Sequence, residues 1–249
     1  MNLAVAGKGG TGKTTFSSLL IRTLIKNEET PILAVDADAN ANLDEALGLD
    51  VRTTITELLR EFKEMKGRPP AGMDKLSYIE YRLNASLVED DDVDLLVMGG
   101  PTGPGCYCYP NDLLKKFIEK LNANYPYFVM DNEAGLEHLS RRTTQDIDVL
   151  FVVSDASARS IRSAGRVKKI VNELELDVEQ IYLVVNRVKE GTIEILQEEI
   201  DKTGLELIGT LPDDSQVMEY DLHGKSLVDL PDDALVVQAV EEIVEKTVL

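Results

Sequence analysis

The sequence predicts an α/β fold in which a mostly parallel β-sheet is flanked by helices on both faces. Three observations support this prediction. Short apolar runs alternate with amphipathic segments along the chain, the runs are nearly continuous in Val, Leu and Ile, and no linker, repeat or low-complexity stretch interrupts the 249 residues. Continuous apolar runs are typical of strands that are buried on both faces of a parallel sheet. We therefore expect one three-layer domain spanning residues 1–249, long enough to bury a substantial core.

Seven apolar runs are expected to be strands. In chain order they are NLAVAG, PILAVDAD, DLLVMGG, YFVMDNEAG, DVLFVVSDAS, QIYLVVNRV and LELIGTLP. Each run is short enough for a strand and ends near Gly, Pro, Asn, Asp or Ser, which are the residues that favour turns.

The segments between the strands show helical spacing of apolar residues. In chain order they are KTTFSSLLIRTLIK, TITELLREF, NDLLKKFIEKL, LEHLSRRTTQ, SARSIRSAGRVKKIVNEL, TIEILQEEIDKTG and DDALVVQAVEEIVEKTVL. Residues 60–76 contain Pro-Pro, two glycines and mixed charge. We expect this stretch to be a mobile insertion over the functional site, because Pro and Gly interrupt regular structure.

Composition narrows the class of function. There are 26 basic and 45 acidic residues, which gives a net charge of −19. So acidic a surface disfavours nucleic acid and anionic membranes as partners. No apolar run approaches the ~20 residues of a membrane span, and the first residues, MNLAVAG, lack the basic leader of a signal peptide. We expect a cytoplasmic protein with neither nucleic acid nor membrane as a partner.

Residues 7–15, GKGGTGKTT, fit the phosphate-loop pattern G-x-x-x-x-G-K-[ST] between a predicted strand and a predicted helix. Glycines allow backbone N–H groups to close around phosphate oxygens, and the helix N-terminus adds a favourable dipole. Lys13 is expected to contact the β- and γ-phosphates, and Thr14 is expected to bind Mg²⁺. The residues expected to bind nucleotide here are Gly9, Gly10, Thr11, Gly12, Lys13, Thr14 and Thr15.

The loop carries a second lysine, Lys8. The stretch KGGTGKTT resembles the deviant phosphate loop of the MinD/ParA/nitrogenase iron protein group of ATPases. In that group the first lysine crosses a nucleotide-sandwich dimer to the partner's phosphates. The resemblance therefore implies a homodimer in which Lys8 is a catalytic cation supplied in trans. The alternative is a solvated loop lysine, because the x positions of the motif accept most residues.

Two aspartates follow the second predicted strand, in VDADANANLD. Asp36 and Asp38 fall at the carboxyl end of the strand, where ligands bind in open α/β sheets. The resemblance implies that Asp38 orients the attacking water, and Asp36, one step closer to the strand, is expected to support the Mg²⁺ shell. An Asx-rich loop without a catalytic role is the alternative.

A further aspartate ends the fourth predicted strand, in DNEAG. This stretch resembles the group's D-x-x-A-G switch II, which implies that Asp131 holds Mg²⁺ through water. MinD-like members usually have Pro where this chain has Glu133. That departure favours a specialised branch over a general positioning ATPase.

The predicted base pocket lies after the last two strands. Asn186 lies in LVVNR, which ends the sixth predicted strand, and it resembles the group's base-reading asparagine, whose amide donates and accepts on the adenine edge. The turn TLPDD, with Leu211 and Pro212, resembles the second adenine-contacting segment. No N-K-x-D guanine signature occurs, so ATP is favoured over GTP.

The two cysteines, Cys106 and Cys108, flank Tyr107 in a Gly- and Pro-rich stretch. In extended backbone, residues two apart point the same way, so both thiolates can meet one ion. Two sulfurs are half of a tetrahedral Zn²⁺ site, and a two-fold dimer supplies the other half. The same arrangement suits Ni²⁺ or an Fe–S cluster. Alternatively, the pair consists of two small apolar side chains without a metal.

Taken together, DADANANLD, GPGCYCYPND and DNEAGLEHLSRR resemble the CooC family, whose ATPases act in nickel insertion into carbon monoxide dehydrogenase. The resemblance implies an ATP- and Mg²⁺-dependent homodimer that holds Ni²⁺ or Zn²⁺ between paired C-x-C motifs, with carbon monoxide dehydrogenase as its client. Two other functions stay open. One is a ParA/MinD-type positioning ATPase that uses the basic helix at 157–170, which carries Arg159, Arg162, Arg166, Lys168 and Lys169. The other is an Fe–S redox ATPase like the nitrogenase iron protein, whose cysteines, however, lie far apart in sequence.

Overall fold

The sheet at the centre of the molecule is parallel throughout. The computed structural model describes residues 1–38, 40, 42–65, 69–100, 116–132 and 146–249. Within them, seven strands form one sheet in the order β3-β2-β4-β1-β5-β6-β7, and every strand pair is parallel. The strands are β1 Asn2–Gly7, β2 Ile32–Ala37, β3 Val93–Val97, β4 Tyr127–Asn132, β5 Asp146–Asp155, β6 Asp177–Val188 and β7 Glu206–Pro212. The predicted parallel α/β fold is confirmed.

Helices cover both faces of this sheet. They are α1 Lys13–Lys26, α2 Leu43–Leu47, α3 Ile55–Glu64, α4 Lys75–Ala85, α5 Ala158–Glu173, α6 Thr192–Thr203, α7 Ser215–Leu222 and α8 Leu235–Thr247. Residues 116–122 are helical as well. Among the described helices, none combines the length and apolar character that crossing a bilayer requires.

Strand alternation divides the core into two layers. In β1, Leu3 and Val5 belong to the layer that contains α1, α2 and α8, whereas Ala4 and Ala6 belong to the layer that contains α3, α4, α5 and α6. These four residues are at most 2% exposed. Because β1 is buried on both faces in the middle of the sheet, the loop that follows it emerges between the two layers of helices.

The C-terminal part of the chain fastens α1 in place. The Arg22 guanidinium donates to Val228 O and Leu230 O, each at 3.0 Å. One turn later, Lys26 Nζ lies 2.7 Å from the Glu241 carboxylate on α8. The helix that opens with the predicted phosphate loop is therefore anchored by residues more than 200 positions downstream.

Three helices were not predicted from the sequence. The short α2 follows the second strand, and α4 buries Tyr78, Ile79 and Leu83 against the sheet. None of the residues of α7 is buried, so its sequence carries no apolar stripe. Since α3 runs to Glu64 and α4 begins at Lys75, the insertion expected over 60–76 is shorter than predicted.

Candidate functional site

The predicted nucleotide-binding residues gather at one edge of the sheet. β1 ends at Gly7 and α1 begins at Lys13, so the phosphate loop joins the central strand to a helix N-terminus. Because all the strands are parallel, the carboxyl ends of β2, β4 and β6 lie at this same edge. The loop is therefore flanked by side chains from three other strands.

Glycine at position 12 is required for two separate reasons. Gly12 has a φ of 90°, which side chains disfavour, and a Cβ added there would lie 2.1 Å from Asn186 Nδ2. Gly10 has a φ of 78° but an added Cβ would meet nothing within 4 Å among the described residues. These two glycines share the backbone conformation and differ in the crowding around them.

We expect Gly12→Ala to reduce ATP affinity by at least about 100-fold, because the methyl group displaces Asn186 as well as straining the loop. Gly10→Ala adds only the strain and is the matched control, with an expected loss nearer tenfold. Calorimetric titration with ATP measures both losses, and the melting temperature verifies folding. Equal losses for the two variants would show that crowding by Asn186 is not important.

The two loop lysines lie in different environments. Lys13 is 6% exposed, and its Nζ lies 3.9 Å from a carboxylate oxygen of Asp38. Lys8 is exposed and makes no ion pair with a described residue, while its carbonyl accepts a hydrogen bond of 2.8 Å from Thr11 Oγ1. Lys13 is thus positioned by its own chain and Lys8 is not. The trans role of Lys8 stays a prediction.

A pair of buried carboxylates lies beneath the loop. Asp36 on β2 and Asp131 on β4 are register partners, and both side chains are fully buried. Thr14 Oγ1 donates to Asp131 Oδ2 at 2.7 Å. Burial raises the pKa of Asp131 to about 7 and that of Asp36 to about 6, with smaller contributions from neighbouring aspartates.

This arrangement fits Mg²⁺. Asp131 Oδ1 is buried and has no hydrogen-bond partner among the described residues, so one carboxylate oxygen is available to an ion or its water. Thr14, the other predicted ligand, already contacts the same carboxylate. No group of three or more His, Cys, Asp or Glu side chains in the described ranges forms a complete metal site. Phosphate oxygens and water would have to supply the remaining ligands, as is usual for Mg²⁺.

Asp36 organises the loop that carries Asp38. Its Oδ1 accepts from the Asp38 N–H and its Oδ2 accepts from the Leu43 N–H, each at 2.9 Å. Asp38 in turn accepts from the N–H of Asn40 at 3.0 Å. One buried carboxylate therefore holds both ends of the segment that follows β2. The Mg²⁺ role predicted for Asp36 stays a prediction beside this observed structural one.

The end of β6 contacts the phosphate loop directly. Asn186 is buried, and its Nδ2 donates to Thr11 O at 2.9 Å. The neighbouring Arg187, which the sequence did not single out, donates from Nη1 to Gly10 O at 3.3 Å. The base-reading role of Asn186 stays a prediction, since its amide already bonds to the loop backbone.

The segment predicted as an adenine-contacting turn, residues 210–214, begins inside β7, because that strand runs to Pro212. Leu211 is fully buried, and Pro212 pairs with Val188 at the end of β6. Asp214 caps α7 by accepting from Gln216 N at 3.0 Å. Leu211 and Pro212 are therefore held next to the end of β6, as an adenine contact requires, and that contact stays a prediction.

A cleft of about 280 Å³ opens beside the first turn of α1. Thr14 and Thr15 form one wall, Glu45 of α2 another, and Asp221 and Lys225 at the end of α7 a third. Apolar side chains also line the cleft, and Thr14 and Thr15 connect it to the N-terminal turn of α1. Asp221 and Lys225 belong to no motif, so the sequence gave no signal for them.

The predicted metal-binding thiols lie outside the described residues. Cys106 and Cys108 fall in 101–115, and Glu133 of the predicted switch II falls in 133–145. The described part of the site is thus the half predicted to bind nucleotide and Mg²⁺, and the dithiol stays a prediction as well.

The sequence is similar along most of its length to a known family of nucleotide-binding domains. A family model described as the CobQ/CobB/MinD/ParA nucleotide binding domain matches residues 3–228. An uncharacterized ATP-binding protein of Methanocaldococcus jannaschii is 47% identical over 250 residues, covering 100% of this chain and 98% of that protein. The carbon monoxide dehydrogenase accessory protein CooC of Rhodospirillum rubrum is 28% identical, covering 92% and 90% of the two chains. The septum site-determining protein MinD of Bacillus subtilis is 27% identical, covering 89% and 79%.

Solved structures show the same fold. MinD of Aquifex aeolicus superposes with a TM-score of 0.71 at 23% identity, covering 98% of this chain and 95% of that one. MinD of Pyrococcus horikoshii, solved with Mg-ADP, gives 0.70 at 20% identity, covering 98% and 94%. The arrangement of strands around the loop is thus shared with nucleotide-binding proteins.

Proposed function

The chain belongs to the CobQ/CobB/MinD/ParA nucleotide-binding family, and from this premise we propose that it is an ATPase whose homodimer handles a metal ion for a carbon monoxide dehydrogenase-type client. The observation that carries the ATPase part is the contact of Thr14 with the buried, half-satisfied carboxylate of Asp131. Such a pair beside a phosphate loop provides the Mg²⁺ half of a phosphoryl-transfer site.

Each residue of the proposed site has a separate role in ATP hydrolysis. Lys13 neutralises phosphate charge, and Asp38 Oδ2, only 3.9 Å from its Nζ, lies close enough to orient the attacking water. Thr14 and Asp131 would hold Mg²⁺, which would supply positive charge to neutralise the β- and γ-phosphates. Asp36 keeps the Asp38 segment in place through its two backbone contacts. Lys8, exposed and without an ion pair among the described residues, completes the site of the partner subunit.

The metal-handling part rests on the C-x-C motif and on the similarity to CooC along 92% of the chain. Cys106 and Cys108 supply two thiolates, and the same pair in a second subunit gives the four ligands of a tetrahedral site. Ni²⁺ or Zn²⁺ is the cargo in this scheme. If ATP tightens the dimer, the metal tightens it too, because the two bindings are linked.

A second candidate, a MinD/ParA-type positioning ATPase, is favoured by two observations. MinD of Bacillus subtilis is as similar to the chain as CooC is, at 27% against 28% identity. Helix α5 also presents an exposed basic stripe made of Arg159, Arg162, Arg166 and Lys169. Arg162 is paired with Glu199 at 3.0 Å, and the net charge of −19 disfavours a polyanionic partner.

Sedimentation with metal analysis tests the proposal. We expect ATP or Ni²⁺ to shift the protein from monomer to dimer, with about one bound metal per two chains. Replacing both Cys106 and Cys108 with Ala should abolish metal retention and leave the ATP-induced dimer intact. His223→Ala is the control for adventitious Ni²⁺ binding, because His223 is exposed.

Unchanged Ni²⁺ and Zn²⁺ affinity in the double cysteine variant would refute the metal-handling role. Salt-dependent DNA binding near physiological ionic strength would favour the positioning ATPase instead. A brown protein with cluster absorbance after anaerobic purification would indicate the Fe–S alternative.

A further inference from the structure

Two consecutive residues at the end of β6 contact two consecutive carbonyl groups of the phosphate loop. We propose that Asn186 and Arg187 form a clamp that orients the phosphate-binding peptides, and that Arg187 is a positioning residue for the nucleotide. This inference rests on the proposed binding of ATP at the loop. It assigns a role to Arg187, which no motif of the sequence identified.

The contacts of the clamp interlock. Asn186 Nδ2 donates to Thr11 O at 2.9 Å, and Arg187 Nη1 donates to Gly10 O at 3.3 Å. The Asn186 carbonyl oxygen Oδ1 also accepts from the backbone N–H of Arg187 at 2.8 Å. The orientation of the asparagine amide and the backbone of the arginine are therefore fixed by each other.

The two contacts also fix the direction of the N–H groups in the same loop peptides. A peptide group is planar, and its C=O and N–H point in opposite directions. Holding Gly10 O and Thr11 O toward β6 therefore aims the N–H groups of Thr11 and Gly12 away from β6. Within the part of the chain that the structure describes, the Thr11 N–H makes one long contact, to Lys8 O at 3.4 Å. The two N–H groups are thus kept off β6, so in the proposed site they are free to form part of an anion nest.

The backbone at Arg187 is held in an unfavourable conformation. Its φ is 57°, in the left-handed region, and the pairing of β6 with β7 shifts register between Val185 and Val188. Such a conformation costs a non-glycine residue free energy and persists only where the surroundings enforce it. A glycine at this position would remove the side chain and keep the backbone conformation, because glycine adopts the same φ without strain.

The Arg187 guanidinium can position an anionic ligand indirectly, because it holds the loop peptide at Gly10. Arg187 is exposed, and its guanidinium makes one hydrogen bond to a described residue, the contact with Gly10 O. Lys189, two residues further on, is also exposed but pairs with Asp213 at 3.8 Å and contacts no residue of the loop in the described structure. Lys189 is therefore a matched control for Arg187, because it has the same charge but contacts none of the described loop residues.

The test compares ATP with inorganic tripolyphosphate, which has no base, by calorimetric titration of the full chain. We expect Arg187→Ala and Arg187→Gly to weaken both ligands by a similar factor of about ten, the loss of one hydrogen bond to a loop carbonyl. Arg187→Gly should melt at a higher temperature than Arg187→Ala because it removes the strain. Arg187→Lys, which keeps a donor, should recover part of the affinity. Lys189→Ala should change both affinities less than about threefold.

Asn186→Ala separates the clamp from base reading. The clamp predicts weaker binding of tripolyphosphate as well as ATP, whereas a residue that only reads the base affects ATP alone. The inference is overturned if Arg187→Ala binds tripolyphosphate like the wild type, or if Lys189→Ala loses as much affinity as Arg187→Ala. Wild-type protein that binds neither ligand would instead refute the proposed function itself.

Discussion

Asp131→Asn is expected to abolish Mg²⁺-dependent ATP hydrolysis and, at the same time, to stabilise the protein in the absence of nucleotide. The loss of activity, at least about 100-fold, follows from removing a negative charge from the predicted Mg²⁺ shell. The gain in stability follows from burial, since the carboxylate is fully buried and only one of its oxygens has a described partner. Asparagine keeps an acceptor for Thr14 and carries no charge to desolvate.

The pH dependence gives this prediction a sign. Burial raises the pKa of Asp131 to about 7, above its value in the unfolded chain of about 3.9. Between these values the folded state holds a proton that the unfolded state has lost, so the free energy of unfolding falls as pH rises through 7. Asp36, with a pKa of about 6, causes a similar fall in the free energy of unfolding that ends near pH 6. The wild type should therefore lose stability up to about pH 7, and Asp131→Asn only up to about pH 6.

Urea unfolding between pH 5 and pH 8, without nucleotide or Mg²⁺, measures the effect. At pH 8 we expect Asp131→Asn to be more stable than the wild type by an amount on the order of 2–4 kcal/mol. Asp233→Asn, at an exposed aspartate, is the matched control and should leave the profile unchanged. If Asp131→Asn is instead less stable than the wild type at pH 8, burial of the ionised carboxylate does not destabilise the folded protein.

Lys8→Ala is expected to reduce ATP hydrolysis by a factor on the order of 10³ while leaving ATP binding by the monomer nearly unchanged. The reason is the contrast between the two lysines. Lys13 is buried and lies near Asp38 of its own subunit, whereas Lys8 is exposed and makes no ion pair with a described residue. A cation supplied by a second subunit acts only when the dimer forms.

Mixing two inactive variants decides whether Lys8 acts in trans. A subunit with Lys8→Ala keeps its own Asp131, and a subunit with Asp131→Asn keeps its own Lys8. If Lys8 crosses the interface, the mixed dimer contains one complete site, and an equal mixture recovers about a quarter of the wild-type rate per chain. If Lys8 acts within its own subunit, no mixed dimer contains a complete site and the mixture stays inactive. Sedimentation of each variant with ATP shows whether dimers form.

Much of this molecule could be predicted from local sequence, and the exceptions have physical causes. The seven strands follow from continuous apolar runs, and the phosphate loop follows from a motif set between a strand and a helix. The α7 helix could not be found, because none of its residues is buried and its sequence carries no apolar period. The short α2 depends on a long-range contact, since Ala46 O within it accepts from Ser226 Oγ at 2.9 Å.

The contacts that shape the site were also hidden from local sequence. Asn186 could be predicted as a site residue, but its bond to Thr11 O joins positions 175 residues apart. Arg187 belongs to no pattern that would have directed attention to it. The unfavourable φ of Arg187 is visible only in the folded chain. Such features depend on tertiary neighbours rather than on spacing, so a single sequence does not reveal them.

The anchoring of α1 by the end of the chain has a consequence for biosynthesis. The loop glycines emerge from the ribosome first, but Asn186 follows about 170 residues later, and the residues that hold Arg22 and Lys26 lie between 228 and 241. A nascent or prematurely terminated chain therefore carries the complete motif without the contacts that orient it. Orientation of the loop by Asn186 therefore awaits the synthesis of β6, and anchoring of α1 awaits the synthesis of residues 228–241.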